Sequence, residues 1–192
     1  MTRSKEYDEN AVLHKAMQLF WEQGYEKTSM SDLVAHMRVH RRSLYDTFKD
    51  KHTLFLKVLD HYGEITDSTL QEGIEQSETA TQALHFIFKY TIDNIDDVPT
   101  GCLFVNAAVE LAMHDADADA KTIEGFEKQE QLLTSIIRWG QHNKEFTSDY
   151  DAKELGESLH NTLLGFRVMR RTSTSKDKLH RLAALSLRYL EY

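Results

Sequence analysis

Apolar residues recur at intervals of three and four along most of the chain, the spacing that places them on one face of an α-helix. The first such stripe runs from Val12 to Phe20 and stops at Gly24, a residue suited to the C-terminus of a helix. The hydroxyl residues Thr28 and Ser29 precede the next apolar positions and predict a capped second helix. The pattern therefore predicts a protein that begins with short helices.

Longer helices are predicted for the rest of the chain. Leu44 and Phe48 indicate a third short helix, and a long fourth helix follows it. Pro99 interrupts the pattern, because proline cannot continue a helix. The later stripes predict helices over residues 77–95, 103–113, 123–143, 149–169 and 179–190, with hydroxyl caps at 77 and 148 and an acidic helix start over 115–119. The fold class is all-α.

The composition agrees with helices and excludes several kinds of site. The 192 residues include one Pro and eight Gly, too few for a sheet protein with many tight turns. The single cysteine, Cys102, excludes a disulfide framework and a multi-cysteine metal site, and we predict no metal and no cofactor. The chain begins with charged and polar residues, and its longest run without a charged side chain, 98–109, is shorter than the roughly 20 residues that span a membrane. We therefore expect a cytoplasmic protein with no membrane partner.

The charge is unevenly distributed along the chain. The formal net charge of −8 alone disfavours nucleic acid as a partner, because phosphate contacts need Lys and Arg. Residues 1–60 nevertheless hold 10 basic and 9 acidic side chains, whereas the remaining residues hold 13 and 22. Five basic and two acidic side chains fall between residues 38 and 51. This asymmetry predicts two parts with different functions.

A helix-turn-helix is predicted within the first part. It consists of a helix of about two turns over residues 29–37, a connection over 38–40 and a second helix over 41–48. Leu44 and Phe48 lie on the core side of the second helix. The outward side carries Arg42, Tyr45 and Asp46.

Such a second helix has the features needed to read DNA. A recognition helix enters the major groove near its N-terminal end, where Arg41 and Arg42 lie. Arginine can donate two hydrogen bonds to O6 and N7 of guanine. Phosphate contacts are expected from Thr28, Arg38, Tyr45, Thr47 and Lys51, and His40 is expected either to cap the helix or to contact DNA. A solvated arginine cluster without a partner is the alternative.

Many spaced positions in this region belong to one family pattern. They are Ala16-Met17-Gln18-Leu19-Phe20, Gly24-Tyr25, Thr28-Ser29-Met30-Ser31-Asp32-Leu33-Val34, Val39, Ser43-Leu44-Tyr45, Phe48, Lys51 and Leu54-Phe55. This pattern, over about residues 8–60, resembles the TetR/AcrR family of transcriptional regulators. A later stretch, Gly101-Cys102-Leu103-Phe104-Val105-Asn106 followed by Glu110-Leu111, is similar to one subgroup of that family.

The resemblance implies an all-helical homodimer with an N-terminal DNA-binding domain, residues 1–55, and a helical effector-binding and dimerisation domain, residues 56–192. Such a dimer binds a near-palindromic operator, usually as a repressor that an unknown small molecule releases. By resemblance, Thr28, Arg42, Ser43, Tyr45, Thr47 and Lys51 fall where family members touch DNA. With Ser29, Arg38, His40 and Arg41 they form the predicted DNA-binding set. The family commonly has glycine where this chain has Arg38, and a non-glycine residue is uncommon at positive φ.

The effector site is predicted from the apolar segments of the second part. Asn106 and Glu110 lie four residues apart in an apolar helix, and they either pair with Arg167 or Arg170 or point into a ligand cavity. A cavity between helices has mostly apolar walls with a few polar groups. The candidate ligand-binding residues are Phe86, Tyr90, Cys102, Asn106, Glu110, Trp139 and Phe166. Phe104 and Met113 are further candidate walls, and ordinary core packing is the alternative for the aromatic residues.

Two interpretations of Cys102 stay open. It is predicted at the start of a helix, where a thiol has a lowered pKa and reacts more readily, which would suit a sensor of oxidants or electrophiles. Cysteine is also often a small buried hydrophobic residue.

The last two long helices are the predicted dimer face. Gly156 and Gly165 lie inside the predicted helix, and glycine there permits close approach of another helix. The resemblance implies a four-helix bundle across the two-fold axis, with packing inside one chain as the alternative. The predicted interface residues are Leu155, Leu159, Leu163, Leu182 and Leu190.

The function predicted from the sequence is a dimeric, ligand-responsive transcriptional regulator whose partner is a double-stranded DNA operator. The sequence does not separate a repressor from an activator. The alternative is a helical small-molecule-binding protein or enzyme with a vestigial DNA-binding motif. We predict no enzyme, because no nucleophile–base pair or metal-ligand spacing is visible, and a calcium-loop pattern that begins at Asp115 fails at Ala120 and Phe126.

Overall fold

The structure, a computed structural model, describes residues 8–93 and 99–190. Within these ranges the chain forms helices and no strand, which confirms the all-α prediction. No helix in these ranges is long and apolar enough to cross a membrane. The helices are α1 (Glu9–Gln23), α2 (Met30–Met37), α3 (Arg41–Phe48), α4 (Lys51–Glu75), α5 (Ala80–Asp93), α6 (Leu103–Leu111), α7 (Ala116–His142), α8 (Ala152–Met169) and α9 (Lys176–Leu187), followed by a 3-10 turn, Arg188–Leu190.

Side chains cap the helix starts that the sequence marks. Ser29 Oγ accepts a hydrogen bond from the Asp32 N–H at 3.1 Å, and the Asp32 carboxylate accepts one from the Ser29 N–H at 2.9 Å. This reciprocal pair satisfies two N–H groups that a helix leaves unbonded at its start. Asp115 begins α7 by accepting from the Ala118 N–H at 3.0 Å, which confirms the acidic helix start. Asp151 caps α8, slightly later along the chain than the predicted hydroxyl.

The start of α5 differs from the prediction. The helix begins at Ala80 rather than at Ser77. The Thr79 hydroxyl caps it locally by accepting from the Gln82 N–H at 3.1 Å, and a distant turn supplies a second cap. The Glu145 carboxylate accepts hydrogen bonds from the N–H groups of Ala80 at 3.1 Å and Thr81 at 2.9 Å. A negative charge at this position also opposes the positive end of the helix dipole. The predicted end of this helix, residue 95, lies outside the described residues.

The buried side chains form two clusters that do not follow the order of the chain. The first fills the space among α1, α2, α3 and the first half of α4, and it includes the buried residues of Cys102–Ala118 around α6. The second lies among the end of α4, α5, α7, α8 and α9. The predicted boundary after residue 55 falls inside the continuous helix α4 and stays a prediction. The packing joins α6 to the N-terminal helices.

At Gly156, helix α8 lies directly against the backbone of α7. A Cβ atom at this position would lie 2.4 Å from Thr134 Oγ1 and 3.1 Å from the Thr134 backbone nitrogen. Those distances are too short for any side chain, so glycine is required here for packing within one chain. Gly165, on the same helix, has no atom of the described residues within 4 Å of a Cβ.

Gly156→Ala is expected to lower the free energy of unfolding by about 1–2 kcal/mol, because overpacking outweighs the gain in helix propensity. Urea denaturation measures this change. Thr134→Ala, which removes the nearest atom, should recover part of the loss when combined with Gly156→Ala. Wild-type stability of the single Gly156→Ala variant would contradict the close approach.

Four of the five leucines predicted at the dimer interface belong to the core of a single chain. Leu155, Leu159, Leu163 and Leu190 are at most 5% exposed, and they pack in the second cluster. A side chain enclosed by its own chain offers no surface to a partner, so this prediction is corrected for these four residues. Leu182 is half-buried. The outward face of α8 and α9 instead carries Gly165, Val168 and Leu185, the last two 53% and 61% exposed.

Candidate nucleic-acid interface

Helix α3 buries one side and exposes the other. Leu44 and Phe48 are fully buried, which confirms the predicted core side. The exposed side consists of Arg41, Arg42, Tyr45 and Asp46, and Ser43 and Thr47 are half-buried. The helix therefore exposes two arginine side chains at its N-terminal end and one tyrosine ring, while its opposite side packs in the core.

The two arginines of α3 make only weak local contacts. The Arg41 guanidinium lies 5.6 Å from the centre of the Tyr45 ring. Arg42 forms an ion pair with Asp46 at 3.8 Å, and both of these side chains are largely exposed. An exposed pair of this kind is worth at most about 1 kcal/mol. Both guanidinium groups can therefore exchange these contacts for phosphate or a base edge.

The turn before α3 has the left-handed geometry for which glycine is favoured. Arg38 has φ 57° and ψ 44°, and its N–H donates to the Val34 carbonyl at 3.1 Å. The side chain of Arg38 is exposed beside the start of α3. His40 precedes that start, and its side chain makes no capping hydrogen bond within the described residues. Of its two predicted roles, the DNA contact stays a prediction.

Thr28 does not have the exposure that a phosphate contact needs. The residue is fully buried, and its hydroxyl donates to the Gly24 carbonyl at 2.6 Å. Its predicted role at DNA is corrected to a structural one. The Ser29 hydroxyl is exposed but forms the α2 cap with Asp32.

Lys51 is held by the loop between α1 and α2. Its Nζ donates to the Tyr25 carbonyl at 3.1 Å and lies 4.1 Å from the centre of the Tyr25 ring. Such a cation–π contact adds about 0.5–1 kcal/mol at a partly exposed site. The phosphate contact of Lys51 stays a prediction, and the ammonium group has further N–H donors for it beside the bond to Tyr25.

The same loop is held from the other side by α6. Glu110 accepts hydrogen bonds from the N–H of Tyr25 at 2.9 Å and from the N–H of Glu26 at 2.8 Å. Gly24 has φ 88°, and a Cβ there would lie 2.9 Å from the Glu110 carboxylate. Glycine is thus required for both the backbone turn and the approach of the carboxylate.

The end of α1 is bound by two further side chains. Asn106 Nδ2 donates to the Trp21 carbonyl at 3.3 Å, and Arg171 Nη1 donates to the same carbonyl at 3.0 Å. Neither predicted alternative for Asn106 and Glu110 is correct, because their polar atoms bind the main chain at the end of α1. Helix α6 therefore links the N-terminal helices to the body, in addition to the continuous helix α4.

The aromatic residues predicted to line a ligand pocket lie mostly in the core. Phe86 stacks against Tyr90 with ring centres 6.2 Å apart. Phe166 is buried in the second cluster, and Trp139 is half-buried there. Met113 is 88% exposed, so it is not a pocket wall. The ligand-binding roles of the other residues stay predictions.

A cleft of about 330 Å³ lies between α4 and α7. Of the predicted pocket walls it contains Phe104, whose ring fits against Gly63 and Gly125. Its charged lining residues are Asp60, Glu64, Asp67, Glu124, Lys121 and Lys128. The cleft is therefore charged at its rim and aromatic at its base.

The sequence patterns of two known protein domains match this chain. The domain described as "Bacterial regulatory proteins, tetR family" matches residues 12–58, and "Tetracyclin repressor-like, C-terminal domain" matches residues 80–185. The chain belongs to the TetR family of transcriptional regulators. It is 30% identical to the uncharacterized HTH-type transcriptional regulator YezE of Bacillus subtilis, over 100% of both chains. It is also 30% identical to the HTH-type transcriptional repressor ComR of Escherichia coli, over 97% of this chain and 90% of that one.

Solved TetR-family structures share the fold over nearly the whole chain. A cysteine mutant of the TetR-family regulator CifR, complexed with 26-bp double-strand operator DNA, superposes with a TM-score of 0.86 at 25% identity and covers 98% of this chain and 99% of that one. The reduced form of Escherichia coli NemR gives 0.84 at 19% identity, with 94% and 95% covered. The likeness to NemR concerns the fold alone.

In this TetR-family chain Cys102 is buried at the start of α6. It is 1% exposed, and its Sγ accepts a hydrogen bond from the Tyr62 hydroxyl at 3.3 Å. Burial favours the packed-residue interpretation, because an oxidant must reach the thiol to react with it. The sensor interpretation stays a hypothesis.

Sequence reasoning missed a polar cluster between α7 and α8 of this TetR-family body. His160 and Arg167 lie seven residues apart on α8, which places them on one helix face. Both are buried, and their partners are Glu130 and Gln129 of α7. The sequence shows two polar residues within an apolar stripe of α8. The helical period does not show which residues of another helix they contact.

One group of described residues has the geometry to hold a metal ion. The ligand atoms of His52, Asp115 and Asp117 lie within 4.8 Å of one another. His52 Nε2 lies 2.9 Å from the Asp115 carboxylate, which also caps α7. These contacts already explain the arrangement, and we assign no ion to it. The predicted absence of a metal stays a prediction.

Proposed function

We propose that this TetR-family protein is a dimeric repressor that binds a near-palindromic operator and is released by a small molecule. The observation that carries the proposal is the exposed N-terminal end of α3, where Arg41 and Arg42 project from a buried base. A dimer would place two such ends in successive major grooves. The repressor ComR and the operator complex of CifR support repression and duplex DNA as the partner. The cytoplasmic location stays a prediction.

The link through α6 supports release by an effector. Glu110 and Asn106 connect the body to the loop and the helix end that position α2 and α3. An effector that shifts α6 would change the separation of the two recognition helices and favour a state that fits the operator poorly.

The direct test is fluorescence anisotropy with DNA from upstream of the protein's own gene. We expect one dimer per site, competition by the same sequence but not by random DNA, and affinity that falls steeply with salt, with a log–log slope of about −0.9 per phosphate contact. Equal binding to random DNA, or no binding, would support the alternative of a vestigial motif.

The proposed dimer face is the outward side of α8 and α9. Leu185→Glu is expected to weaken dimerisation at least about tenfold, because it places a charge in an apolar interface. Analytical ultracentrifugation measures the dimer dissociation constant. Ile123→Glu, at another exposed apolar residue, is the matched control and should leave the dimer intact. An unchanged dimer of the Leu185→Glu variant would place the interface elsewhere.

A further inference from the structure

Arg167 is a buried positive charge with a neutral partner. The residue is 8% exposed, and its Nη1 donates to the side-chain oxygen of Gln129 at 2.6 Å. In the described part of the chain no carboxylate oxygen lies within 4.0 Å of its guanidinium nitrogens. Burying a charge is unfavourable unless an opposite charge or several hydrogen bonds compensate it. No anion among the described residues therefore compensates the buried charge of Arg167.

The two tyrosines on which the charge of Arg167 acts do not supply such an anion. Its charge acts on Tyr62 and Tyr90, and burial raises the pKa of each hydroxyl above its ordinary value. Both tyrosines are therefore neutral at physiological pH. The Tyr62 hydroxyl is already bonded to Cys102. These groups can donate hydrogen bonds or accept them, but none cancels the charge.

His160 provides a second observation beside Arg167. It is 2% exposed, and its Nδ1 lies 3.1 Å from the Glu130 carboxylate. Burial, followed by the charge of Arg167, lowers the pKa of the ring, so the ring is neutral with its proton on Nδ1. Nε2 is then an acceptor, and it is buried without a hydrogen-bond partner among the described residues. A buried acceptor without a hydrogen-bond donor is rare in folded proteins, so a donor is expected here.

Gln129 separates Arg167 from a groove on the surface. A pocket of about 200 Å³ is lined by Gln129 together with Asp67, Gln71, Lys128 and Leu132. It shares Asp67 and Lys128 with the cleft of about 330 Å³ above Phe104. Neither Arg167 nor His160 lines this pocket, so a ligand in the groove reaches the guanidinium only by displacing the Gln129 side chain that is bonded to it.

We propose that Arg167 binds the carboxylate of a small organic-acid effector that also carries a hydrogen-bond donor for His160 Nε2. The carboxylate replaces the Gln129 oxygen on the guanidinium, and a planar guanidinium accommodates a carboxylate through two parallel hydrogen bonds. The inference rests on the proposed function, since it names the class of the releasing molecule.

The charges at the groove restrict the class further. Four carboxylates and two lysines line the larger cleft, and Lys121 and Lys128 are each paired with an acidic side chain. The entrance is therefore net negative and disfavours phosphates and other multiply charged anions. A monocarboxylate with an apolar or aromatic body fits both the entrance and Arg167, the one lysine or arginine that is buried among residues 8–93 and 99–190.

The site also touches the link to the DNA-reading helices. Tyr62 of α4 contacts Cys102 at the start of α6, and Glu110 lies on the same short helix. The charge of Arg167 acts on Tyr62, so we expect an anion bound to Arg167 to alter the contact of Tyr62 with the start of α6.

The experiment uses the full-length protein and four probes. Hexanoate, benzoate and phenylacetate carry only the carboxylate for Arg167, whereas 4-hydroxybenzoate also carries an O–H donor for His160 Nε2 and is expected to bind most tightly. Each probe is paired with its primary amide, which has the same shape and no charge. Isothermal calorimetry and thermal unfolding are measured without DNA at up to about 10 mM probe. We expect at least one carboxylate to bind at least about tenfold more tightly than its amide and to raise Tm by about 4 °C.

The variants separate a binding arginine from a structural one. Arg167→Gln is expected to abolish the preference for carboxylate over amide, and Arg167→Lys to retain part of it. Arg167→Met, without any probe, is expected to unfold at the wild-type temperature or above, because removing an uncompensated charge relieves a cost. A Tm more than about 4 °C lower would make the guanidinium a structural group and overturn the proposal.

Other results would also overturn it. They are equal binding of acid and amide, an Arg167→Gln variant with unchanged preference, or no binding by any of the four acids. Operator binding by the wild type without a probe is measured separately. Its absence would refute the proposed function, whereas the calorimetric result would still decide the chemistry of Arg167.

Discussion

Replacing Arg41 and Arg42 together with alanine is expected to weaken binding to the operator by about 100-fold or more. Each arginine that donates two hydrogen bonds to a guanine contributes about 1–3 kcal/mol, and both groups lie at the end of α3 that the proposed function places in the groove. Their contacts in the free protein are a ring stack and an exposed ion pair. The fold should therefore be unaffected, and Tm should stay at the wild-type value.

Fluorescence anisotropy at fixed salt measures this loss, with random DNA as the competitor. The matched control removes two exposed cations far from α3, Arg138 of α7 and Lys153 of α8, and changes the net charge equally. The control should retain most of its affinity. An equal loss in both variants would mean that the total charge, rather than these two side chains, determines binding.

Glu110→Ala is expected to lower the free energy of unfolding by about 3 kcal/mol, because hydrogen bonds to a charged group contribute about 1.5–3 kcal/mol each. The carboxylate binds two backbone N–H groups, those of Tyr25 and Glu26, which no other residue caps in the described structure. Freed from α6, the loop between α1 and α2 should move, and operator affinity should fall with it.

Two measurements distinguish this effect from a general loss of stability. Hydrogen exchange of the Tyr25 and Glu26 amides should accelerate more than that of α5 amides. Glu110→Gln keeps one acceptor oxygen and should show a smaller effect, and Glu127→Ala, at an exposed glutamate of α7, should show none. Unchanged exchange at the two amides of the Glu110→Ala variant would contradict the role of this carboxylate.

Local features of the fold could be predicted from the sequence because they depend on neighbouring residues. The caps at Ser29 and Asp115 are examples, since a cap bonds to an N–H only three residues away. The same holds for the buried side of α3, where Leu44 and Phe48 follow the helical period. The exposed arginines of the candidate interface follow from that same period.

Features that depend on distant contacts could not be predicted. Glu145 caps α5 from 65 residues away, and Glu110 reaches Tyr25 over 85 residues. The period of a helix shows which leucines share a face, but it does not show whether that face meets the same chain or a partner, as with Leu159. The hydroxyl group of Thr28 suggested a phosphate contact, but the residue type does not show that Thr28 is fully buried.

The shared core of α6 and the N-terminal helices bears on the design of hybrid regulators. The unit that reads DNA is continuous in space but discontinuous in sequence, since its core includes side chains from 12–62 and again from 102–118. A graft of residues 1–58 onto another body would lose the bonds by which Asn106 holds the end of α1 and Glu110 holds the loop that follows it. The transplantable module is therefore the N-terminal helices together with α6, and specificity can be exchanged between relatives only if both segments move as one.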